Sequence, residues 1–176
     1  MGTNVFKSFN QYFDMAEFSD TPLMEITLRR YEQPFGLDKR NTLKKLCLSL
    51  GLLQPGDSRD VIVDILLVLE NVKHLKKDLS AFDVKQEVVI LRDKYGLSDM
   101  GTADSNIRRQ LKRLRDMYLV EKVRNNYRIT EFSDLKTLFD TRIKTILLNS
   151  IVQRNEEYFS YYSQFETSNE SKDIKR

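Results

Sequence analysis

Tryptophan is absent from this chain, and cysteine and histidine occur once each in its 176 residues. A single cysteine excludes an internal disulfide and any metal cage built from several thiolates. Cys47 sits in the apolar helical run "LKKLCLSL", where a free thiol behaves as a small hydrophobe and is expected in the core. His74, in "NVKHLKKD", falls near the end of an expected helix, where a cationic or capping role suits it better than catalysis. One imidazole and one thiol leave too little for most nucleophilic triads or zinc sites. The carboxylates are scattered and the glycines isolated, which argues against an acidic metal cluster and a glycine-rich phosphate loop. The expectation is a protein that is not an enzyme and that needs no metal or cofactor.

Long apolar runs are lacking as well. The longest, in "VIVDILLVL", is broken by Asp64 and is far too short to span a bilayer. The opening "MGTNVFKSFNQYF" lacks the charged-then-apolar plan of a secretory signal. A cytoplasmic protein without a membrane partner is expected. Glycine and proline number only 6 and 3, so long loops should be few. What is present is 40% hydrophobic and 31% charged residues, enough for a core and a solvated surface. The size suits one domain with appendages or two very small ones.

Periodicity places a succession of helices. Val5, Phe6, Phe9, Tyr12, Phe13 and Ala16 recur at helical spacing over 5–18, giving an aromatic face for the core or for a dimer. In "SDTPLMEITLRRYEQPFG", Thr21 before Pro22 predicts a short helix, although Met24, Ile26 and Leu28 alternate like a strand. Leu43, Leu46, Cys47 and Leu50 form one face of the next helix, and Gly51 stands where a C-cap takes a positive φ. After the turn "QPGDS", Asp57 or Ser58 is expected to cap a helix from about Arg59 to Asp78. Val61, Ile62, Ile65, Leu66, Leu69, Val72 and Leu75 make it apolar nearly all round, as a central core helix should be. Ser80 and Asp83 resemble a capping box for a helix with Val84, Val88, Leu91 and Tyr95 inward, ended by Gly96. Thr102 or Asp104 is expected to cap the helix after it.

That helix, in "SNIRRQLKRLRDMYLVEKVRNNYRIT", carries the unusual charge. Ile107, Leu111 and Leu114 fall within about 40 degrees of one another on a helical wheel, with Met117 close by. Arg108, Arg109, Lys112, Arg113 and Arg115 cover the far side. From Ser105 to Arg128 eight basic residues face only Asp116 and Glu121, a net +6 in a chain whose total is +3. The positive charge is local, and so few acidic partners make poor intrahelical pairs. "YLVEKV" and "YRIT" then read as two short strands, with Val123 and Ile129 toward the core, joined by an "RNN" turn whose asparagines tolerate positive φ.

A core helix, a second helix, a basic helix and a hairpin with a cationic tip resemble the winged helix-turn-helix proteins of small archaeal and bacterial transcription regulators, over residues 59–130. The resemblance implies a mostly α fold, with a winged-helix core, a small β-hairpin wing and flanking N- and C-terminal helices. It implies a recognition helix whose first half meets base edges in the major groove of double-stranded DNA, here through Ser105, Asn106, Arg109 and Gln110. Lys112, Arg113 and Arg115 would meet phosphates. Arg124 and Arg128 on the wing would reach the backbone or the minor groove, and Arg108, Lys122 and Asn125 complete the expected DNA-binding set. Residues 1–58 would be an N-terminal helical extension, 131–166 a C-terminal helix and 167–176 a disordered tail.

The C-terminal apolar stripe, Leu135, Leu138, Phe139, Ile143, Ile146, Leu147 and Ile151, exceeds what one small winged helix needs. Tyr158, Tyr161, Tyr162 and Phe165 continue it at i, i+3, i+4 and i+7. Helix packing in a homodimer is the expected use, with base stacking the alternative. The functional expectation is a sequence-specific, nucleoid-associated transcription regulator. Competing readings are a DNA-binding protein of plasmid or chromosome replication or partition, and a winged helix whose basic face meets an acidic protein.

Overall fold

A computed structural model describes residues 20–173, with side chains placed as far as residue 165. The helix expected over 5–18 lies outside the described residues. The fold is organised around α2 (Val61–Lys73), in which every residue from Val61 to Leu69 is buried. A helix that is apolar all round must have protein on every side, and α1 (Lys39–Ser49), α3 (Ala81–Lys94) and α4 (Asp104–Asp116) supply it. After α4 comes an antiparallel hairpin of β1 (Val120–Val123) and β2 (Asn126–Ile129), in register Val120 to Ile129 and Val123 to Asn126. Tyr127 and Ile129 of β2 are buried, and β2 packs on α2. Ile129 meets the core as expected, whereas Val123 is only half-buried and Val120 takes the buried place on β1. A 3-10 turn (Thr130–Phe132) leads into α5 (Leu135–Leu138), a π-helical stretch (Phe139–Leu148) and α6 (Asn149–Asp173). The protein is thus mostly helical with one small hairpin. No helix among the described residues is long and apolar enough to cross a membrane.

Helix ends follow local chemistry, with several departures from expectation. Ser80 and Asp83 form a complete capping box, the Ser80 hydroxyl accepting from the Asp83 N–H and the Asp83 carboxylate accepting from the Ser80 N–H. Gly51 and Gly96 take positive φ just past α1 and α3. Neither Asp57 nor Ser58 caps α2. Asp60 occupies that position, its carboxylate is engaged by cations, and the Asp57 carboxylate instead accepts from the Arg59 N–H. α4 likewise lacks a side-chain cap: Ala103 precedes it, while Asp104 sits in its first turn as the dipole favours. α2 stops at Lys73 and not near Asp78, because Leu75 and Lys76 hydrogen-bond into a turn with Lys76 at φ 50°. Leu75 is therefore exposed instead of in the core, and His74 stands at the C-cap. Tyr95 is also outward, its place taken by Arg92. The helix expected near Pro22 does not form, so residues 20–38 of the N-terminal extension are not helical. At the other end α6 runs on to Asp173, so residues 167–173 of the segment expected to be a disordered tail continue a helix.

Residues 20–38 form an extended strap across the end of α1. The Arg29 N–H donates to Ser49 O at 2.8 Å, and its guanidinium donates to Leu48 O, Leu53 O and Gln54 Oε1 at 3.0, 3.2 and 2.8 Å. One arginine thus gathers carbonyls from the end of α1 and from the turn that follows it. Gly51 permits the approach, since a Cβ there would lie 2.6 Å from Thr27 Cβ and 2.9 Å from Thr27 O.

Charge enters the core between the helices. Asp60 and Asp64, one turn apart at the start of α2, face Arg40 of α1 and Arg92 of α3, and all four are less than a tenth exposed. Arg40 Nε donates to Asp64 Oδ1 at 2.8 Å, and Arg40 Nη2 lies 3.1 Å from Asp60 Oδ2. Arg92 Nη1 bonds both carboxylates, Asp60 at 3.2 Å and Asp64 more closely. Lys44 adds a bond to Asp60 at 2.9 Å, and Arg92 Nε donates to Ser98 O at 2.7 Å. Burial opposes ionisation of Asp60, but the hydrogen bonds from Lys44 and Arg40 outweigh it and hold its carboxyl below the usual range.

The charge cluster and the strap make three stability predictions. Asp64→Ala leaves two buried guanidiniums short of an acceptor and should cost about 3–5 kcal/mol, read from urea unfolding; a loss typical of a surface residue would refute the network. Because the folded Asp60 value is depressed, its contribution is full above roughly pH 4, the unfolded carboxylate value, and is lost as pH falls through the folded value. An Asp60→Asn variant should show a shallower acid slope than wild type. Gly51→Ala should destabilise by about 1–2 kcal/mol from its left-handed backbone alone, and should open the strap to limited proteolysis.

Candidate nucleic-acid interface

α4 is positioned by Ile107, Leu111, Leu114 and, just past its end, Met117, all buried against the core. Every residue on its outer face follows from that docking. Ser105, Arg108, Arg109, Lys112 and Arg115 are exposed, and Arg113 is half-buried. Lys112 pairs with Asp116 at 2.8 Å, an exposed i, i+4 contact worth little. Arg108 and Arg115 make no hydrogen bond or ion pair among the described residues. Asp104 is held below the usual carboxylate range by its hydrogen bond from Lys85 of α3, at 2.6 Å.

The polar amides expected to read bases are already occupied. Gln110 is buried and Asn106 half-buried. Asn106 Nδ2 donates to Gly101 O at 2.6 Å, while its Oδ1 accepts from Arg109 Nη2 at 2.6 Å and Gln110 Nε2 at 3.0 Å. Gln110 Oε1 accepts from Arg113 Nη1 at 2.9 Å, and Arg113 Nη2 donates to Gly51 O at 3.2 Å. These two amides orient arginines instead of standing on the open face. The open face is left to Ser105, Arg108, Arg109, Lys112 and Arg115.

The hairpin tip is Arg124 and Asn125, both exposed, with φ of 47° and 72°. Two successive left-handed residues are what a two-residue type I′ turn requires. The turn is one residue earlier than the asparagine pair suggests, since Asn126 already pairs with Val123 and donates to Asp78 at 3.1 Å. Lys122 is exposed, with its ammonium 5.6 Å from the centre of the Tyr127 ring. Arg128 is spent locally: its Nε donates to Glu121 at 2.7 Å and its guanidinium lies over Phe132 at 4.5 Å. The cationic tip is therefore Arg124, with Lys122 behind it.

Two features escaped the periodicity. Leu79, between α2 and α3, exchanges both backbone hydrogen bonds with Tyr127, at 2.9 and 2.7 Å, adding a one-residue bridge to the hairpin. Arg59, before α2, lines a cleft of about 540 Å³ with Arg109 and Arg113. Only the charge of Arg59 was visible beforehand, and nothing in the spacing ties it to a helix 50 residues later. Comparison with family models, curated proteins and solved structures gives no match for the chain.

The tip offers a test that separates fold from charge. Asn adopts the left-handed conformation more readily than Arg, so Arg124→Asn should leave stability unchanged or raise it by about 0.5 kcal/mol, whereas Arg124→Val should lower it by about 1 kcal/mol. Chemical denaturation of both variants checks the assignment. Equal losses for Asn and Val would mean that the side chain, not the backbone, matters there.

Proposed function

We propose that the chain is a winged-helix protein that binds double-stranded DNA through α4 and the hairpin tip and regulates transcription from the cytoplasm. The observation that carries this reading is the outer face of α4, where four exposed cations share two exposed carboxylates, Asp116 paired with Lys112 and Asp104 paired with Lys85 of α3. Uncompensated cations on a rigid, core-docked helix suit a polyanion, and phosphate contacts supply most of non-specific DNA affinity. The order of elements supports it: helix, bridging residue, helix, basic helix, hairpin, with Leu79 joined to β2. Ser105 is the residue left to reach base edges, while Arg108, Arg109, Lys112 and Arg115 meet phosphates. Arg128 contributes through the wing's internal packing.

The chain acts as a homodimer in this reading. Beyond Leu147, which is buried in the π-helical stretch, α6 exposes Tyr158, Phe159, Tyr161, Tyr162 and Phe165, each more than half exposed. Aromatic residues in such density are what helix interfaces bury, and a second copy of α6 would cover them. Tyr158→Ser/Tyr162→Ser should shift sedimentation from dimer to monomer without loss of helical signal. A wild type that is monomeric at micromolar concentration removes the dimer.

DNA binding is tested by fluorescence anisotropy on a duplex of random sequence across a salt series. Wild type should bind with a steep salt dependence. Arg108→Ala/Arg115→Ala should reduce the slope of log affinity against log salt by about 2. Arg128→Ala, already neutralised by Glu121, should change it little. No wild-type affinity at low salt would overturn the reading and turn attention to an acidic protein partner.

A further inference from the structure

The cleft between the 57–59 loop and the first half of α4 has a chemistry of its own. Arg59, Arg109 and Arg113 line it, and the one carboxylate in its lining is Asp57. Asp57 accepts from the Arg59 N–H at 2.9 Å and forms a long, exposed ion pair with Arg59 Nε at 3.4 Å, so one of the three cations is partly compensated and the lining keeps a net charge of +2. Arg109 and Arg113 are held by neutral acceptors only: the amide oxygens of Asn106 and Gln110, and the carbonyl of Gly51. This distinction matters physically. A carboxylate would orient a guanidinium and cancel its charge, whereas an amide or carbonyl oxygen orients it and leaves the charge in place. Each guanidinium also keeps N–H donors beyond those the amides use. The result is a concave site with pre-positioned forked donors and a net positive charge, the arrangement that suits tetrahedral oxyanions.

We propose that this cleft is a phosphate-binding site in which Arg113 and Arg109 are pre-oriented by Gln110 and Asn106, and in which Arg59 closes the anion from the opposite wall. The phosphate is either one of a nucleic-acid backbone or that of a free phosphate monoester, since the donors would receive both alike. The inference adds Arg59 to the residues of the proposed DNA face, and it stands even if that face binds no duplex. It also assigns a purpose to the two amides on α4 that are turned away from solvent: they set the geometry of the arginines.

The test uses the full chain and inorganic phosphate as the probe. Arginine side-chain N–H resonances are followed by NMR during a phosphate titration at low chloride, for wild type, Arg59→Gln, Arg109→Gln and Arg154→Gln. Saturable shifts at Arg59 and Arg113 are expected, with phosphate binding about tenfold weaker in Arg59→Gln and Arg109→Gln, as the loss of one charge-assisted hydrogen bond predicts. Arg154→Gln removes the same charge on α6, outside the cleft and the proposed DNA face, and should leave binding within about twofold. Unsaturable shifts, or equal weakening by Arg154→Gln, would show a diffuse counter-ion effect and overturn the site. The source is then read with a duplex. If Arg59→Gln lowers the salt slope of duplex binding by about one, a backbone phosphate occupies the cleft. If phosphate saturates the cleft while duplex is unbound or indifferent to Arg59, the occupant is a free monoester, and glycerol phosphate should compete with inorganic phosphate.

Discussion

Two carboxylates on one turn of α2, gripped by guanidiniums from α1 and α3, determine how the three helices sit together. Hydrophobic burial around α2 is large but non-directional, and apolar helices can slide or rotate against one another at little cost. The Arg40–Asp64–Arg92–Asp60 cluster cannot slide, because each buried charge is tolerated only while its partners stay within hydrogen-bonding reach. Arg92 also reaches Ser98 O, which ties the loop leading to α4 to the same point. The placement of the basic helix therefore depends on a polar knot well away from its own surface. Such a knot contributes orientation more than net stability.

The outer side of α4 uses the opposite tactic. Inside, every guanidinium has a carboxylate; in the cleft, Arg109 and Arg113 have amides and a carbonyl. The first arrangement neutralises charge and the second presents it. The hairpin repeats the contrast on a small scale, with Arg128 neutralised by Glu121 and Arg124 left open at the tip. The eight cations between Ser105 and Arg128 are thus not equivalent, although a count of charge treats them alike.

Much of this was legible in the residues. Apolar periodicity located α1, α2, α3 and α4, because for those helices burial follows the wheel closely. The capping box at Ser80 and the glycines at 51 and 96 marked boundaries through backbone chemistry that operates within a few residues. What failed was non-local. Asp64 interrupted an apolar run, and nothing in the sequence paired it with Arg40 or Arg92, because only the packed helices bring them together. Leu79 was unremarkable until Tyr127 came alongside. The strap over 20–38 was misread since its structure comes from Arg29 and Thr27 meeting the end of α1, a contact that outweighs the weak local signal of Thr21 and Pro22. At the candidate site the cations were evident, whereas the inward turn of Asn106 and Gln110 and the approach of Arg59 depend on tertiary geometry.

The π-helical stretch over Phe139–Leu148 has an effect that reaches well beyond its own ten residues. An α-helix advances about 100° per residue, but hydrogen bonds that skip one residue further widen the coil, and each residue turns through less. Over such a length the lag accumulates to a substantial part of a revolution. A stripe that is continuous in sequence from Leu135 to Phe165 is therefore shifted in phase between its two ends: Leu138, Ile143 and Leu147 are buried, whereas every residue from Val152 to Phe165 is exposed, since α6 has there run past the core. The wide coil works as a phase shifter, and removing a single residue from it would re-aim every aromatic ring on α6.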